Sequence, residues 1–384
     1  MLNARDVVLL YAPPWRGSTR FSKHHLATFL ATRGNRVLYV EAPLSPVGLR
    51  RGKEFGLELL RTLLPPRRVG PKLWTRRHFN PVPYHGMSHL TEQRGMNRLG
   101  QRLLAPAVRG DLRRLRFRRP IVIAGLPHAV DIVDRLPRSC LIYHCADDYA
   151  HVRGFPSSLP TLEAELCRRA DLVVTTSKTL CDSRLQHNPC THWIPNGVEF
   201  EHFATEMAPA RELARLPRPA IGFVGGLSQW VDVPLLASLA RARPAWSLVL
   251  VGPPGTDLAP LRGLANVHLL GPHPYQELPR YLAGMDVALV PFVQDSVTRH
   301  ADPIKTYEYL AAGLPVVATD LPALQRLSDV VRLASSPEQF LQQIEAALAE
   351  GRDTRRADRQ AEAARHSWTS RFEAFAQLVE ECAS

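Results

Sequence analysis

Long apolar runs are missing from this chain of 384 residues. No stretch approaches the roughly 18 apolar residues that a membrane-spanning helix needs. The opening residues, Met1-Leu-Asn-Ala-Arg-Asp-Val-Val-Leu-Leu-Tyr11, show no basic-then-apolar leader and run straight into a strand pattern, so no signal peptide is expected. Cysteine is sparse: the six residues at 140, 145, 167, 181, 190 and 382 include no Cys-x-x-Cys pair. That spacing argues against a disulfide framework or zinc site and for free thiols in a reducing cytoplasm. No Gly-x-Gly-x-x-Gly follows a strand pattern, which argues against a dinucleotide-dependent dehydrogenase. Lysine is nearly absent, 5 of 48 basic residues, and the 43 arginines read as GC-rich coding rather than function.

What is present fits two domains. The length allows two cores, and 45% hydrophobic with 22% charged residues is ordinary for a soluble globular chain. Charge is lopsided. Residues 1–200 carry 31 Lys+Arg against 15 Asp+Glu, a net of +16; residues 201–384 carry 17 against 21, a net of −4. Residues 50–119 alone hold 18 basic and 4 acidic residues, a net of +14, which points one domain at an anionic partner or else marks a solvated arginine-rich surface.

Strand and helix patterns alternate along the whole length, the signature of a doubly wound α/β architecture. Buried-strand patterns fall at 7–11, 36–41, 120–125, 140–145 and 171–176, then at 220–225, 248–252, 267–270, 287–291 and 315–319. Helical patterns between them include 21–33, 92–115, 159–169, 178–186, 233–242, 275–283, 305–312 and 337–349. A Pro-, Ala- and Arg-rich stretch at 205–218 reads as a linker. The expected division is therefore 1–204, a linker at 205–218, 219–365, and a closing helix at 366–384.

The most informative segment is Asp302-Pro-Ile-Lys-Thr-Tyr-Glu-Tyr-Leu-Ala-Ala-Gly-Leu-Pro-Val-Val-Ala-Thr319. Asp302 suits a helix N-cap, Pro303 the first helical position, and Gly313 the stop, before a short buried strand. Lys305 and Glu308 sit three apart and share a helix face. A helix start with a lysine suits an anion, and a carboxylate one turn on suits sugar hydroxyls. Spacing alone equally allows a solvated ion pair of little consequence.

This segment resembles the donor-binding signature of retaining glycosyltransferases of family 4, most of all the subgroup acting in bacterial polysaccharide and cell-envelope synthesis. The resemblance implies the GT-B fold: two Rossmann-like doubly wound domains facing a cleft, with the C-terminal helix crossing back to the first domain. It also implies a nucleotide-diphosphate sugar as co-substrate, no other cofactor and no metal. The acidic pair Asp147-Asp148 is not the Asp-x-Asp arrangement that holds a metal in the other transferase fold class.

Further stretches carry the resemblance and name candidate residues. Ala220-Ile-Gly-Phe-Val-Gly-Gly-Leu-Ser-Gln-Trp-Val-Asp232 places Gly225 and Gly226 where a donor diphosphate would approach the backbone and a following helix start. Many relatives carry an Arg and a Lys after these glycines; 226–237 contains neither. Gly271-Pro-His273 resembles the base-reading stretch, although a loop histidine fits His273 as well. A second departure is His300 in place of a carboxylate eight positions before Glu308. Thr298, Arg299, His300, Ala301 and Pro303 are then the expected donor contacts beside Lys305 and Glu308, with the backbone N–H groups of Ala301 and Asp302 open to a ligand oxygen.

In the first half, Ala12-Pro-Pro-Trp-Arg-Gly-Ser-Thr-Arg20 resembles the family's first loop, with Gly17 allowing close approach and Arg20 meeting phosphate or an anionic acceptor. His128, after the strand at 121–124, is the candidate catalytic contact beside Lys305. Tyr143-His-Cys-Ala-Asp-Asp-Tyr149 and Ile194-Pro-Asn-Gly-Val-Glu-Phe-Glu-His-Phe203 also match, the second read as structural. Met96, Leu99, Leu103, Ala107 and Leu115 line one stripe of the arginine-rich helix pattern, which fits an anionic membrane surface or a core-facing helix.

The reading is a retaining, metal-independent hexosyltransferase acting on a polysaccharide or lipid-linked acceptor, cytoplasmic or peripheral on the inner face of the plasma membrane, with no nucleic acid expected. Its rivals are a nucleotide-sugar epimerase of the same fold and a basic lipid- or nucleic-acid-binding module.

Overall fold

The computed structural model describes residues 2–17, 19–47, 53–83, 94–152 and 155–383. The chain divides into two compact units. The first comprises Met1–Gly17, Phe21–Pro195 and Phe372–Ser384, and the second Ser18–Arg20 and Asn196–Arg371.

In the first unit an eight-stranded sheet has the order β3-β4-β2-β1-β5-β6-β7-β8. Its strands are β1 (Asp6–Ala12), β2 (Arg36–Glu41), β3 (Arg67–Gly70), β4 (Leu73–Arg76), β5 (Ile121–Ala124), β6 (Cys140–Cys145), β7 (Leu172–Thr175) and β8 (Thr191–Trp193). All pairs are parallel except the β3–β4 hairpin. The central strands are Val-, Leu- and Ile-rich and buried on both faces, which is why they read as continuous apolar runs. Around them run helices α1 (Ser22–Thr32), α2 (Lys53–Arg61), α3 (Arg94–Arg114), α4 (Leu159–Arg169) and α5 (Lys178–Leu185).

The second unit holds a six-stranded, fully parallel sheet of order β11-β10-β9-β12-β13-β14. These strands are β9 (Ala220–Val224), β10 (Ser247–Val251), β11 (Val267–Gly271), β12 (Val287–Val290), β13 (Val316–Thr319) and β14 (Val331–Ala334). Helices α6 (Phe200–Ala204), α7 (Arg211–Ala214), α8 (Val233–Ala242), α9 (Leu278–Ala283), α10 (Ile304–Ala311), α11 (Pro337–Glu350), α12 (Arg356–Ala364) and α13 (Trp368–Ala383) complete the chain, α13 continuing past Arg371 into residues of the first unit. In each sheet the strand order reverses beside the first strand, between β1 and β5 and between β9 and β12. Ligands of doubly wound sheets bind outside the carboxyl ends at such switch points.

The expected α/β class with two Rossmann-like sheets is the one observed. Four strands lacked a sequence signal. β3 and β4 are an arginine-bearing edge hairpin, β8 is an edge strand of three residues, and β14 is half-exposed, so none is a buried apolar run. The expected boundary at 204 also moves, because the structure divides at Pro195/Asn196. Val198, Phe203, Ala210 and Leu213 are buried in the second core, each worth roughly 1–3 kcal/mol of burial, so 205–218 packs on that unit instead of spanning freely.

Candidate functional site

The carboxyl edge of the second sheet gathers the donor residues expected from sequence. Helix α10 docks beneath the end of β9 through Tyr309, whose hydroxyl donates to the Val224 carbonyl at 3.0 Å and accepts from the Val224 N–H at 2.9 Å. β9 and β12 pair only at Ile221 and Gly222. The tyrosine thus satisfies backbone groups that the diverging strands leave open, which a buried sheet requires. Directly beyond Val224, the Gly225-Gly226 turn meets the same helix: a Cβ on Gly225 would lie 3.2 Å from Lys305 Cε. Lys305 Nζ donates to Glu308 Oε2 at 2.8 Å.

Burial decides between the two readings of that pair. Glu308 is 4% exposed, so the pair is not a solvated surface contact. Burial pushes the Glu308 carboxyl up, while Lys305 pulls it back. The Tyr275 phenol is pushed up by burial first, with the Glu308 and Glu199 carboxylates adding to it. His202 stacks on Tyr275 at 4.7 Å and contributes a positive influence on Glu308. Glu199, His202 and Tyr275 therefore surround the expected pair, and sequence reasoning missed them. The only signal available was their place in the Ile194–Phe203 stretch and after Gly271, both read as backbone features.

Asp302 is not the helix cap. The N-cap of α10 is Pro303, with no side-chain cap, and Asp302 turns inward. Its Oδ2 accepts the Asn196 N–H at 2.7 Å, and its Oδ1 accepts the Tyr307 hydroxyl at 2.7 Å. Arg326 lies 3.5 Å from Oδ1, and Asn196 Nδ2 donates back to the Asp302 carbonyl at 2.7 Å. A proline at the N-cap supplies no side-chain acceptor, and the deep carboxylate serves three other donors instead.

The other expected donor contacts fare variously. The Ala301 N–H donates to the Thr298 carbonyl at 3.0 Å and is not open to a ligand as expected. Thr298 is buried and exchanges hydrogen bonds with Asp295, its own N–H donating to Oδ1 at 2.9 Å, so it staples the 293–298 loop. His300 Nδ1 contacts the Ser296 carbonyl at 2.7 Å, and Arg299 is exposed. His273 packs on Tyr281 at 4.3 Å and bonds the Leu270 carbonyl, while Tyr281 donates to Glu212 at 2.7 Å. The α8 start that should face the diphosphate is capped by Asp232, which accepts the Leu235 N–H at 2.8 Å. Lys305, Glu308 and the Gly225 turn are the residues brought together.

Gly252 closes this edge. Its φ is +147°, and a Cβ there would lie 1.8 Å from the Gly225 carbonyl oxygen. Gly252→Ala is accordingly expected to destabilise the protein by about 2–3 kcal/mol, strain and clash combined. Urea denaturation checks this, and an unchanged midpoint at equal slope would remove the argument. A surface concavity lined by Pro217, Trp246 and Asn266 lies at the opposite, amino-terminal edge, away from this chemistry.

The first unit presents its own carboxyl edge. Tyr11, next to last in β1, has φ +58°, a region that non-glycine residues seldom adopt. His128 is buried and stacks on Tyr11 at 6.1 Å and against Phe155 at 5.6 Å, so it is a packed ring of this edge. Gly17 is exposed at φ +153°, whereas Arg20 groups with the second unit. Sequence reasoning missed Lys23, which is buried over Gly125, where a Cβ would lie 2.6 Å from its Cε. Its ammonium is pushed down by burial and supported by Asp147. Asp147 is in turn pushed up to about 6, burial outweighing Lys23. His144, in the position of the subgroup's aspartate, is driven down to about 3 by burial and by Lys23, and so is neutral at pH 7.

Residues 218–350, which include the Gly225 turn and the Lys305–Glu308 pair, match the family model described as glycosyl transferases group 1. That stretch of the second unit is similar to group 1 glycosyltransferases. TuaH of Bacillus subtilis (strain 168), whose name assigns it provisionally to teichuronic acid biosynthesis as a glycosyltransferase, is 31% identical over 206 residues. That match covers 49% of this chain and 52% of the relative, so the chain spans about half the length of the curated protein it matches. Among solved structures, sucrose-phosphate synthase from Thermosynechococcus elongatus superposes with a TM-score of 0.73 at 16% identity, over 98% of both chains. Anabaena HepE, solved with UDP and glucose, gives 0.68 at 16% identity over 98% of this chain and 100% of that one. These likenesses show the fold, GT-B. The similarity of residues 218–350 and the GT-B fold are consistent with the resemblance carried by the 302–319 segment.

Proposed function

We propose that the protein is a retaining, metal-independent glycosyltransferase, needing no cofactor beyond its nucleotide-diphosphate sugar. The second unit holds that donor, and the first unit holds a polysaccharide or lipid-linked acceptor hydroxyl. It works in the cytoplasm, with residues 50–119 facing an anionic membrane surface. The observation that carries the reading is the buried Lys305–Glu308 pair packed against Gly225 at a sheet switch point. A lysine there neutralises the charge that develops on a leaving diphosphate, where a desolvated cation is worth most. Glu308 accepts hydrogen bonds from ribose hydroxyls, and Gly225-Gly226 lets phosphate oxygens reach the backbone. Holding donor and acceptor in register supplies the rest. His128, buried against Tyr11, orders the acceptor edge.

A thermal-shift panel of nucleotide sugars tests the assignment, beginning with UDP-sugars because HepE was solved with UDP and glucose. Wild type is expected to be stabilised by one nucleotide sugar; at a ligand concentration 100-fold above Kd the gain is about 2.7 kcal/mol. Glu308→Ala should lose most of that gain. A panel without any shift, or an identical response in the variant, sinks the donor site. Incubating the donor without acceptor separates the epimerase reading, since an epimerase converts the free nucleotide sugar and a transferase does not.

A further inference from the structure

The membrane-facing element expected from sequence was the arginine-rich helix α3. In the structure α3 buries Leu104, Ala105, Val108 and Leu112 into the first core and turns Leu99 and Leu103 outward. A denser apolar surface lies elsewhere. Helix α2 is amphipathic, with Phe55 buried and Leu57 and Leu60 exposed, and the chain beyond it exposes Leu63 and Leu64. Leu60 is 62% exposed and Leu63 is 79% exposed, against near-complete burial for most leucines of this protein. Leu57 and Leu60 share one face of α2 at the i, i+3 spacing, and Leu63 and Leu64 continue the exposed apolar surface past its end.

This tip is held in place rather than loose. Thr62 is buried beside it and donates through Oγ1 to the Leu59 carbonyl at 2.7 Å. The Arg76 guanidinium collects carbonyls at the end of the helix, including Thr62 at 2.9 Å and Leu64, and is itself anchored on Asp111 at 3.1 Å. An arginine that satisfies the last carbonyls of a helix fixes the direction of the residues beyond it. The leucines are therefore presented outward by construction.

The charge beside them selects the partner. Arg61 is exposed on the same segment, and Arg67 and Arg68 follow on the exposed edge strand β3. Of the two acids in the α2 sequence, Glu54 and Glu58, Glu58 is engaged by Arg61 and by Arg77 at 3.3 Å. The surrounding stretch 50–119 carries a net +14. Exposed leucines flanked by arginines fit the boundary between acyl chains and anionic headgroups, where apolar burial and charge attraction add.

We propose that the Leu57–Leu64 tip inserts into the interface of an anionic lipid bilayer, with Arg61, Arg67 and Arg68 at headgroup level. The proposal rests on reading residues 50–119 as membrane-facing and names the residues that make the contact.

Co-sedimentation of the full chain with vesicles of phosphatidylglycerol and phosphatidylcholine, against phosphatidylcholine alone, tests it. The expected result is binding to the anionic vesicles only, with Leu60→Glu/Leu63→Glu lowering the partition coefficient about tenfold or more at an unchanged melting temperature. A Leu63→Trp variant should shift its emission to the blue on the same vesicles. Wild type left in the supernatant overturns the membrane reading of the whole region. Wild type that binds while the double glutamate variant binds equally overturns the tip and leaves the arginines as the cause. Equal binding to neutral vesicles removes the headgroup selection. A dimer on light scattering that the double variant abolishes makes a second copy of this chain the occupant, and the proposal falls.

Discussion

Lys305→Ala is expected to lower kcat/KM for the nucleotide-sugar donor by about 100- to 1,000-fold, the loss seen when one preorganised charge-stabilising group is removed. The size follows from how little else is available. Residues 226–237 hold no basic side chain, Arg299 is exposed, and the α8 start is capped by Asp232. Lys305 is the cation that packs on the Gly225 turn, with its side chain only 18% exposed, so its field is poorly screened. Lys305→Arg should not restore the activity, because a longer, planar guanidinium does not reproduce the compact ammonium that meets Glu308 Oε2 at 2.8 Å. Arg299→Ala provides the contrast and should change kcat/KM by less than about threefold, the range of an exposed charge. Steady-state kinetics on the donor identified by thermal shift reads all three. Activity of Lys305→Ala within threefold of wild type would place the phosphates elsewhere. Burial already pushes the Glu308 carboxyl up, so it can take a proton when its partner is lost. Lys305→Ala/Glu308→Gln should therefore fold as well as the single variant and show whether the loss is catalytic.

Asp302→Ala should cost about 3–5 kcal/mol of stability, the range for breaking a buried charge network by removing one partner. The same substitution at a helix N-cap costs only about 1 kcal/mol, so the size of the effect discriminates the two roles. Removing this carboxylate orphans the Asn196 N–H and the Tyr307 hydroxyl and leaves Arg326 facing a buried phenol. Each unsatisfied buried group adds about 1–3 kcal/mol, which is how the total exceeds a cap. Asp302→Asn keeps an acceptor for Tyr307 and should recover part of the loss. Urea denaturation at fixed pH measures both. A midpoint shift equivalent to about 1 kcal/mol or less would return Asp302 to the role of a cap.

The pattern of what was legible follows from burial. Strands such as Arg36–Glu41 and Cys140–Cys145 fall where the apolar runs place them, because a strand buried on both faces must be apolar throughout. β3, β4, β8 and β14 did not announce themselves, since an edge strand or short hairpin needs no such run. The arginine-rich helix shows the same limit. The stripe Met96, Leu99, Leu103 and Ala107 is a real periodicity, yet the core takes the neighbouring stripe through Leu104, Val108 and Leu112. Periodicity reports that a face exists, and only the packing partner decides which face is turned in.

The sequence by itself determined the two parallel α/β sheets and the pairing of Lys305 with Glu308, because these rest on local spacing and on runs of apolar residues. Tertiary structure decided the electrostatic character of that pair. Three residues of separation is equally good for a surface contact, and only the docking of α10 under β9 by Tyr309 desolvates Glu308. It also decided that Asp302 faces inward, that Thr298 and Ala301 spend their donors and acceptors on the loop itself, and that Lys23 is buried beside Asp147. Each of these depends on partners distant in sequence, and a hydrogen bond or a lost hydration shell is fixed by position in space, which no spacing along the chain records.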